Sequence, residues 1–417
     1  MDKIVIKGGK KLQGKVRTSG AKNSSLPLLF STLLAEGEHV FENVPSLKDI
    51  DSTIMLLEML GAKVKRDGDK VIINSKLSDI NEATYDVVRK MRASILCLGP
   101  LVAKRQRARV SLPGGCAIGT RPIDIHLEGM KALGAEVDVN GGYVEASCSQ
   151  LKGASILFDN PTVGGTENIM MAASLADGKT IIENAAKEPE IVDLADYLNK
   201  MGAKIYGAGS SIITIQGVNK LTPATHQVIP DRIEAGTLLI AGAITGGEVT
   251  VTDCNPNHLD ALAQKLKESG FRISTTTNSI TVEQCDEWRG VDITTAPHPG
   301  FPTDLQAQFM ALMAVASGVS VITETIFENR FMHVQELVRL GSDITPKSRV
   351  AIVRGQPKKL VGAPVMATDL RASASLVLAG LAAKGQTEVA RIYHLDRGYE
   401  NMEKKLSSLR ADIRRIQ

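Results

Sequence analysis

Aromatic residues make up only 4% of this 417-residue chain, with a single tryptophan. That scarcity argues against a nucleic-acid surface built on base stacking. Net charge is small as well, +3 at neutral pH, too mild for a polyanion binder but compatible with a local basic pocket for a small anionic substrate. No apolar run reaches the roughly 18 residues of a membrane span. The first residues, MDKIVIKGGKK, lack the apolar core of a signal peptide, so a cytoplasmic protein without membrane insertion is expected. Cysteines are few and scattered: Cys97, Cys116, Cys148, Cys254 and Cys285. They form no CxxC pair and no Cys/His cluster, which leaves neither a disulfide framework nor a metal site. Four of them lie in apolar or strand-like runs and read as small core residues. Cys116 is the exception.

What the chain does have is hydrophobic bulk, 43% of its residues, enough for two cores of ordinary size. It also has a repeat. One phrase recurs about every 70 residues: LGAKV at 60–64, LGAEV at 133–137, MGAKI at 201–205, SGFRI at 269–273, LGSDI at 340–344 and LRADI at 409–413. Each closes an amphipathic segment, so its glycine reads as a left-handed helix cap followed by a strand. The sixth copy has Arg410 at that position. Five copies are followed by a further strand, such as KVIINS or SIITIQG, and the sixth is not. The orphan strand KIVIKG at the N-terminus supplies the missing one, which predicts that the two termini are neighbours.

Upstream of each amphipathic helix lies a segment apolar on nearly every face, for example LPLLFSTLLA, NIMMAASLA or ASLVLAGLAA. Helices hydrophobic all round belong inside a core. The expected fold is therefore α/β, with two inside-out α/β barrel domains, each of three repeated units around buried central helices. The predicted domains are 22–229, carrying the Cys116 loop, and 1–21 plus 230–417, completed by the N-terminal strand. Two chain crossings, near 17–23 and near Pro230, would form a hinge.

The starts of the buried helices carry Lys22 and Asn23, Arg92, Gly164 and Gly165, Asp304, and Asp369 with Arg371. Any one Asn, Asp, Ser or Thr there can be an ordinary cap. Lys22, Arg92 and Arg371 are different, because a cation at the positive end of a helix is unfavourable without an anion beside it; a phosphate- or carboxylate-bearing ligand is the reading favoured. Arg121, Arg330 and Arg397 fall in loops, where arginine's planar fork suits either such a ligand or a surface ion pair. Cys116 sits in PGGCAIG, a stretch that resists helix and strand and suits an exposed lid. Nearby Arg121 and Lys22 would lower the pKa of its thiol, although from the residues alone an incidental loop cysteine is the more favoured reading. His126, His298, His333 and His394 lack metal spacing and read as hydrogen-bonding structural residues.

The strings SGAKN, MRAS, LPGGCAIGTRPID, ENAAKEPEIVDLA, PDRIEAGT, TAPHPGFPTDLQAQF, ETIFENRFMHV, ATDLRASASLVLAG and DRGYE, in this order over the whole chain, resemble the enolpyruvyl transferase family, on its branch acting on a UDP-sugar. The resemblance implies transfer of the enolpyruvyl group of phosphoenolpyruvate to the 3'-hydroxyl of UDP-N-acetylglucosamine with release of phosphate, the first committed step of peptidoglycan synthesis, without metal or organic cofactor. It implies that Lys22 and Asn23 hold phosphoenolpyruvate and the sugar and that Arg92, Arg121 and Arg397 neutralise phosphate and carboxylate. Asp304 would be the base, and Cys116 an acid or an aid to product release. Arg121, Pro122, Ile123, Asp124 and Ile125 would contact the UDP moiety, with Thr162, Val163 and Gly164 opposite and Ile326 near the uridine or sugar. Arg330, Asp369 and Arg371 would act as closure or orienting groups. The competing readings are the sister enzyme that takes shikimate 3-phosphate and a non-catalytic clamp built from the same repeats.

Overall fold

A computed structural model describes residues 2–76, 78–88, 91–112 and 123–417, with Arg92 described by its main chain alone. Cys116, Arg121 and Pro122 lie outside the described residues. The described residues divide at Ser19/Gly20 and at Ile229/Pro230 into two compact units. Each has its own hydrophobic core and three four-stranded sheets.

All six sheets are built alike. In one, the short strand Ser155–Leu157 runs parallel to Lys179–Glu183, which pairs antiparallel with Ile212–Gln216, itself antiparallel to Lys204–Tyr206. Between the two parallel strands the chain makes the buried helix Val163–Ala173. Between the second strand and the hairpin it makes the amphipathic helix Pro189–Lys200. In the unit that begins at Pro230, the helices Arg232–Ile244, Gln306–Ala314 and Leu370–Ala382 pack on one another. In the unit 20–229, Val163–Ala173 packs on both Lys22–Ser31 and Leu98–Arg105, and Lys22–Ser31 meets the 3-10 turn Arg92–Cys97 that leads into Leu98–Arg105. The predominantly apolar, buried residues of these helices put them in the middle, with the sheets outside.

The recurring phrase has the conformation its glycine demands. Gly61, Gly134, Gly202, Gly270 and Gly341 have φ between 90° and 112°, and the residue before each is buried. Arg410 adopts the same left-handed backbone, with φ 75°. The N-terminal strand Lys3–Lys7 lies between Gln386–Ala390 and Asp412–Ile416, antiparallel to both, with Lys3 opposite Ile416.

The passages between units exchange strands. Gln13–Arg17 precedes the helix Lys22–Ser31 in sequence but pairs with Glu248–Thr252. Thr225–Gln227 precedes Arg232–Ile244 but pairs with Gly37–Glu42. Elsewhere the strand before a buried helix pairs with the strand after it, as Ser155–Leu157 does. No described helix is long and apolar enough to cross a membrane. Of the four cysteines expected in the core, Cys97 and Cys254 are buried, whereas Cys148 and Cys285 are only half-buried, because each lies beyond the last inward-facing position of its strand.

Candidate active site

In the unit 20–229, Lys22 opens the helix Lys22–Ser31 directly after Ala21, which provides no side-chain cap. Its ammonium is buried, 3.5 Å from the carboxylate of Asp49, a residue in the first turn of Lys48–Met59. The cation at this positive helix end therefore has a counter-ion inside the protein, and the inference that it requires a ligand anion is corrected to that extent. Asn23 beside it is half-buried. Ser24 donates its hydroxyl to Asp193, whose other oxygen lies 2.8 Å from Nε2 of His226. Lys200 Nζ approaches the remaining His226 nitrogen at 3.0 Å, which fixes the first turn of the helix from behind. Arg92 opens the 3-10 helix Arg92–Cys97, which runs on into Leu98–Arg105.

The segments around 123–125 and 162–164 meet in this unit. Thr162 caps Val163–Ala173 by accepting from the N–H of Gly165 at 3.2 Å. A Cβ placed on Gly165 would stand 2.5 Å from Thr162 and 3.1 Å from Ile125, so only glycine permits the approach. Gly164 faces the ring of His126. Ile123 and Ile125 rest partly buried on the core, and Asp124 is exposed at the start of Asp124–Ala132. His126 is buried, bonded to Asn168 at 3.0 Å, and burial lowers its pKa to about 4. Deeper in the unit, burial and then Glu190 and Glu188 hold the carboxyl of Glu167 well above the usual carboxylate range.

In the other unit the polarity is reversed. Asp304 lies in the 3-10 turn Thr303–Leu305 leading into Gln306–Ala314. Arg330 donates to its Oδ1 at 2.9 Å, and Nε of Arg371 donates to its Oδ2 at 3.0 Å. Both guanidinium groups are buried, while a quarter of the Asp304 side chain remains exposed. The result is a carboxylate gripped by two buried guanidinium groups, with part of its surface left exposed. Arg371, like Lys22, thus has a counter-ion of the protein's own. Asp369 caps Leu370–Ala382, accepting from the N–H groups of Arg371 and Ala372 at 2.8 and 3.0 Å. Arg397 does not lie in an irregular loop as expected but ends the 3-10 turn Leu395–Arg397, which places it one residue from Gly398 at the mouth of that helix.

Sequence reasoning missed Glu324, although ETIFENRFMHV contains it. Its buried carboxylate accepts from Thr295 and Thr303 at 2.9 and 2.8 Å and from the N–H of Ile326 at 2.8 Å. Thr303 in turn accepts from Arg330 at 3.2 Å, so one buried acid joins the Ile326 loop to the Asp304 turn. The signal was a lone glutamate ending a strand, which looks like surface until its burial is known. His333 is buried, and burial lowers its pKa to about 4, with Asp369 and Arg330 acting on it in opposite senses. Among the described residues no group of three or more His, Cys, Asp or Glu could hold a metal ion.

The sequence matches the family model for EPSP synthase (3-phosphoshikimate 1-carboxyvinyltransferase) over residues 6–406. The chain belongs to the EPSP synthase family. Within that family it is 68% identical, over 99% of its length and 100% of the relative's, to a UDP-N-acetylglucosamine 1-carboxyvinyltransferase of Bdellovibrio bacteriovorus. It is 60% identical, over the whole of both chains, to the protein of the same name from Geotalea daltonii. Among solved structures the enolpyruvyl transferase NikO from Streptomyces tendae superposes with a TM-score of 0.89 at 26% identity, covering 99% of this chain and 98% of its own. An EPSP synthase from Acinetobacter baumannii gives 0.78 over the full length of both chains at 18% identity and shares the fold. The repeated sheets and central helices are thus the enolpyruvyl transferase architecture, and identity places the chain on the UDP-sugar branch of the EPSP synthase family.

Proposed function

We propose that this chain transfers the enolpyruvyl group of phosphoenolpyruvate to the 3'-hydroxyl of UDP-N-acetylglucosamine and releases phosphate, the first committed step of bacterial peptidoglycan synthesis, in the cytoplasm. The observation that carries the reading is the full-length identity of 68% and 60% to two enzymes named for that activity. The shikimate 3-phosphate alternative has support at the level of the fold, since the solved EPSP synthase is only 18% identical.

The chemistry is an addition followed by an elimination. The sugar oxygen bonds to C2 of phosphoenolpyruvate as its hydroxyl proton leaves to a base and C3 gains a proton. C3 then loses a proton, the C2–O bond to phosphate breaks, and the enol ether remains. Asp304 is the base: a quarter of its side chain is exposed, and its ion pairs with buried Arg330 and Arg371 hold it in place. Lys22, Asn23, Arg92, Arg121 and Arg397 bind the anionic groups of phosphoenolpyruvate, donors set in place before charge develops. Cys116 serves proton transfer to C3 or product release. The capped first turn of Val163–Ala173, with side-chain-free Gly164, receives the diphosphate. Thr162, Val163, Pro122, Ile123, Asp124, Ile125 and Ile326 hold the nucleotide and sugar. Arg330 and Arg371 orient Asp304, and Asp369 caps the helix that carries Arg371.

The test is phosphate release from phosphoenolpyruvate with UDP-N-acetylglucosamine or shikimate 3-phosphate as acceptor, in the wild type and in Cys116→Ala. Release with the UDP-sugar alone, largely lost in the variant, is expected. Release with shikimate 3-phosphate, or with neither acceptor, overturns the reading.

A further inference from the structure

Behind Asp304 lies a set of polar contacts that the reaction as described does not use. Gln308, one turn into Gln306–Ala314, is fully buried. Its amide nitrogen is 2.9 Å from the main-chain oxygen of Asp304, 2.9 Å from the hydroxyl of Tyr399 and 3.1 Å from Thr237 Oγ1. Tyr399, also buried, turns its ring to the guanidinium of Arg371, 5.3 Å from the ring centre. Arg371 closes the circuit on the Asp304 carboxylate.

Thr237 is placed to give its hydroxyl proton to the main-chain oxygen of Ile233 at 2.8 Å. Used in that way, it accepts the Tyr399 proton across the 3.0 Å contact between the two hydroxyls, and Tyr399 accepts from the Gln308 amide. Burial pushes the Tyr399 phenol up, so the group stays protonated and is no proton donor to substrate. Gly398 allows the close packing: a Cβ there would stand 2.6 Å from Leu370 and 3.5 Å from Arg371.

We infer that Gln308 and Tyr399 are positioning residues that, with Arg371, form a closed ring holding Asp304 by its main chain and its carboxylate at once. The ring fixes where the base points. This inference rests on the assignment of Asp304 as base. Cation–π contact supplies part of the hold on Arg371, and the hydrogen bonds of Tyr399 fix the ring that makes it. Removing the hydroxyl alone lets the ring and then the guanidinium shift, without opening a cavity.

The experiment compares wild type with Tyr399→Phe and Thr237→Val. In Tyr399→Phe, kcat is expected to fall about 10-fold with little change in the KM of either substrate, because orientation of a base is felt mainly in the chemical step. The acid limb of kcat moves to higher pH, since a loosened Arg371 stabilises the Asp304 carboxylate less. Thr237→Val, one bond further away, should show the same two changes in smaller measure. A limb that stays in place while kcat drops at every pH would mark a merely structural role and overturn the inference, as would an unchanged kcat. The Asp304 carboxyl carbon, titrated by NMR on aspartate-labelled protein and assigned with Asp304→Asn, gives the same answer without turnover. Its pKa should rise in Tyr399→Phe, and no rise overturns the ring. A wild type inactive with the UDP-sugar would instead sink the functional reading, and the titration would still decide the ring.

Discussion

The two units place opposite charges at the starts of their buried helices. In the unit 20–229 a cation, Lys22, is backed by the buried acid Asp49, with Asp193, Glu167, Glu188 and Glu190 also buried in that unit. In the other, an acid, Asp304, is backed by the buried cations Arg330 and Arg371. The architecture is the same, and only the sign is exchanged. A helix start favours an anion, so Asp304 suits its position, while Lys22 is tolerated only through its partner. The lesson is that repeats of one geometry can present an acid in one copy and a cation in another, each held by a buried partner of opposite sign.

Breaking the acidic half should have the largest effect. Asp304→Asn is expected to lower kcat by about 10²–10⁴, the usual worth of a positioned base. The same change leaves two buried guanidinium groups without their carboxylate and should cost about 3 kcal/mol of stability, read by chemical denaturation. Full turnover in this variant would remove Asp304 from the mechanism. Breaking the basic half comes next. Lys22→Met should weaken phosphoenolpyruvate binding about 100-fold, a loss of roughly 3 kcal/mol for one charge-assisted contact. Equilibrium binding by calorimetry measures this directly, and unchanged affinity would assign Lys22 to structure alone.

Acid tests a likeness between the units rather than a difference. Each buries a histidine near its helix starts whose pKa burial lowers to about 4, His126 in one and His333 in the other. In the unfolded chain these groups titrate near 6.5. Above that value neither state is protonated and the fold is unaffected. As pH falls from about 6.5 to about 4 the unfolded state gains protons first, and each histidine should remove roughly 3 kcal/mol. His126→Gln and His333→Gln should each flatten the fall in melting temperature between pH 7 and pH 4.5, and equal slopes in wild type and variants would refute this. Glu167 has the opposite sign. Its raised pKa favours the fold at low pH and is lost as pH rises, so Glu167→Gln should raise the melting temperature at pH 8 and leave it unchanged at pH 4.

Much of this was legible in the sequence because it is periodic. The Gly61-type caps, the all-apolar helices and the orphan N-terminal strand each follow from spacing and composition, and the fold follows from them. The charges at helix starts were legible too, as residue types. Their counter-ions were not. Asp49 and Asp304 lie far along the chain from some of the groups they pair with, 67 residues in the case of Arg371 and Asp304, and nothing local marks an aspartate as a partner rather than a surface group. Glu324, Gln308 and Tyr399 escaped notice for the same reason: each lies inside a motif whose charged residues drew attention, and each gains meaning only from burial. The strand exchange at the two passages is likewise a pairing of distant segments that local patterns do not specify.

The smallest expected effect separates the six repeats from one another. Five close their amphipathic helix on a glycine with positive φ, and the sixth forces Arg410 into the same conformation at φ 75°. A side chain there crowds the following carbonyl, at a cost of roughly 1 kcal/mol. Its guanidinium recovers part of this through a 2.7 Å hydrogen bond to Gln13, an exposed contact and therefore a weak one. Arg410→Gly should accordingly stabilise the protein by about 0.5–1 kcal/mol, even though glycine enlarges the unfolded ensemble, and raise the melting temperature by about 1–4 °C. The mirror change, Gly341→Arg, imposes the strain without a Gln13 to receive the side chain and should lower it by at least as much. Calorimetry on both variants decides the matter: if Arg410→Gly is neutral or destabilising, the hydrogen bond to Gln13 outweighs the backbone strain, and the sixth repeat has replaced its glycine with a tie between the last helix and the strand Gln13–Arg17.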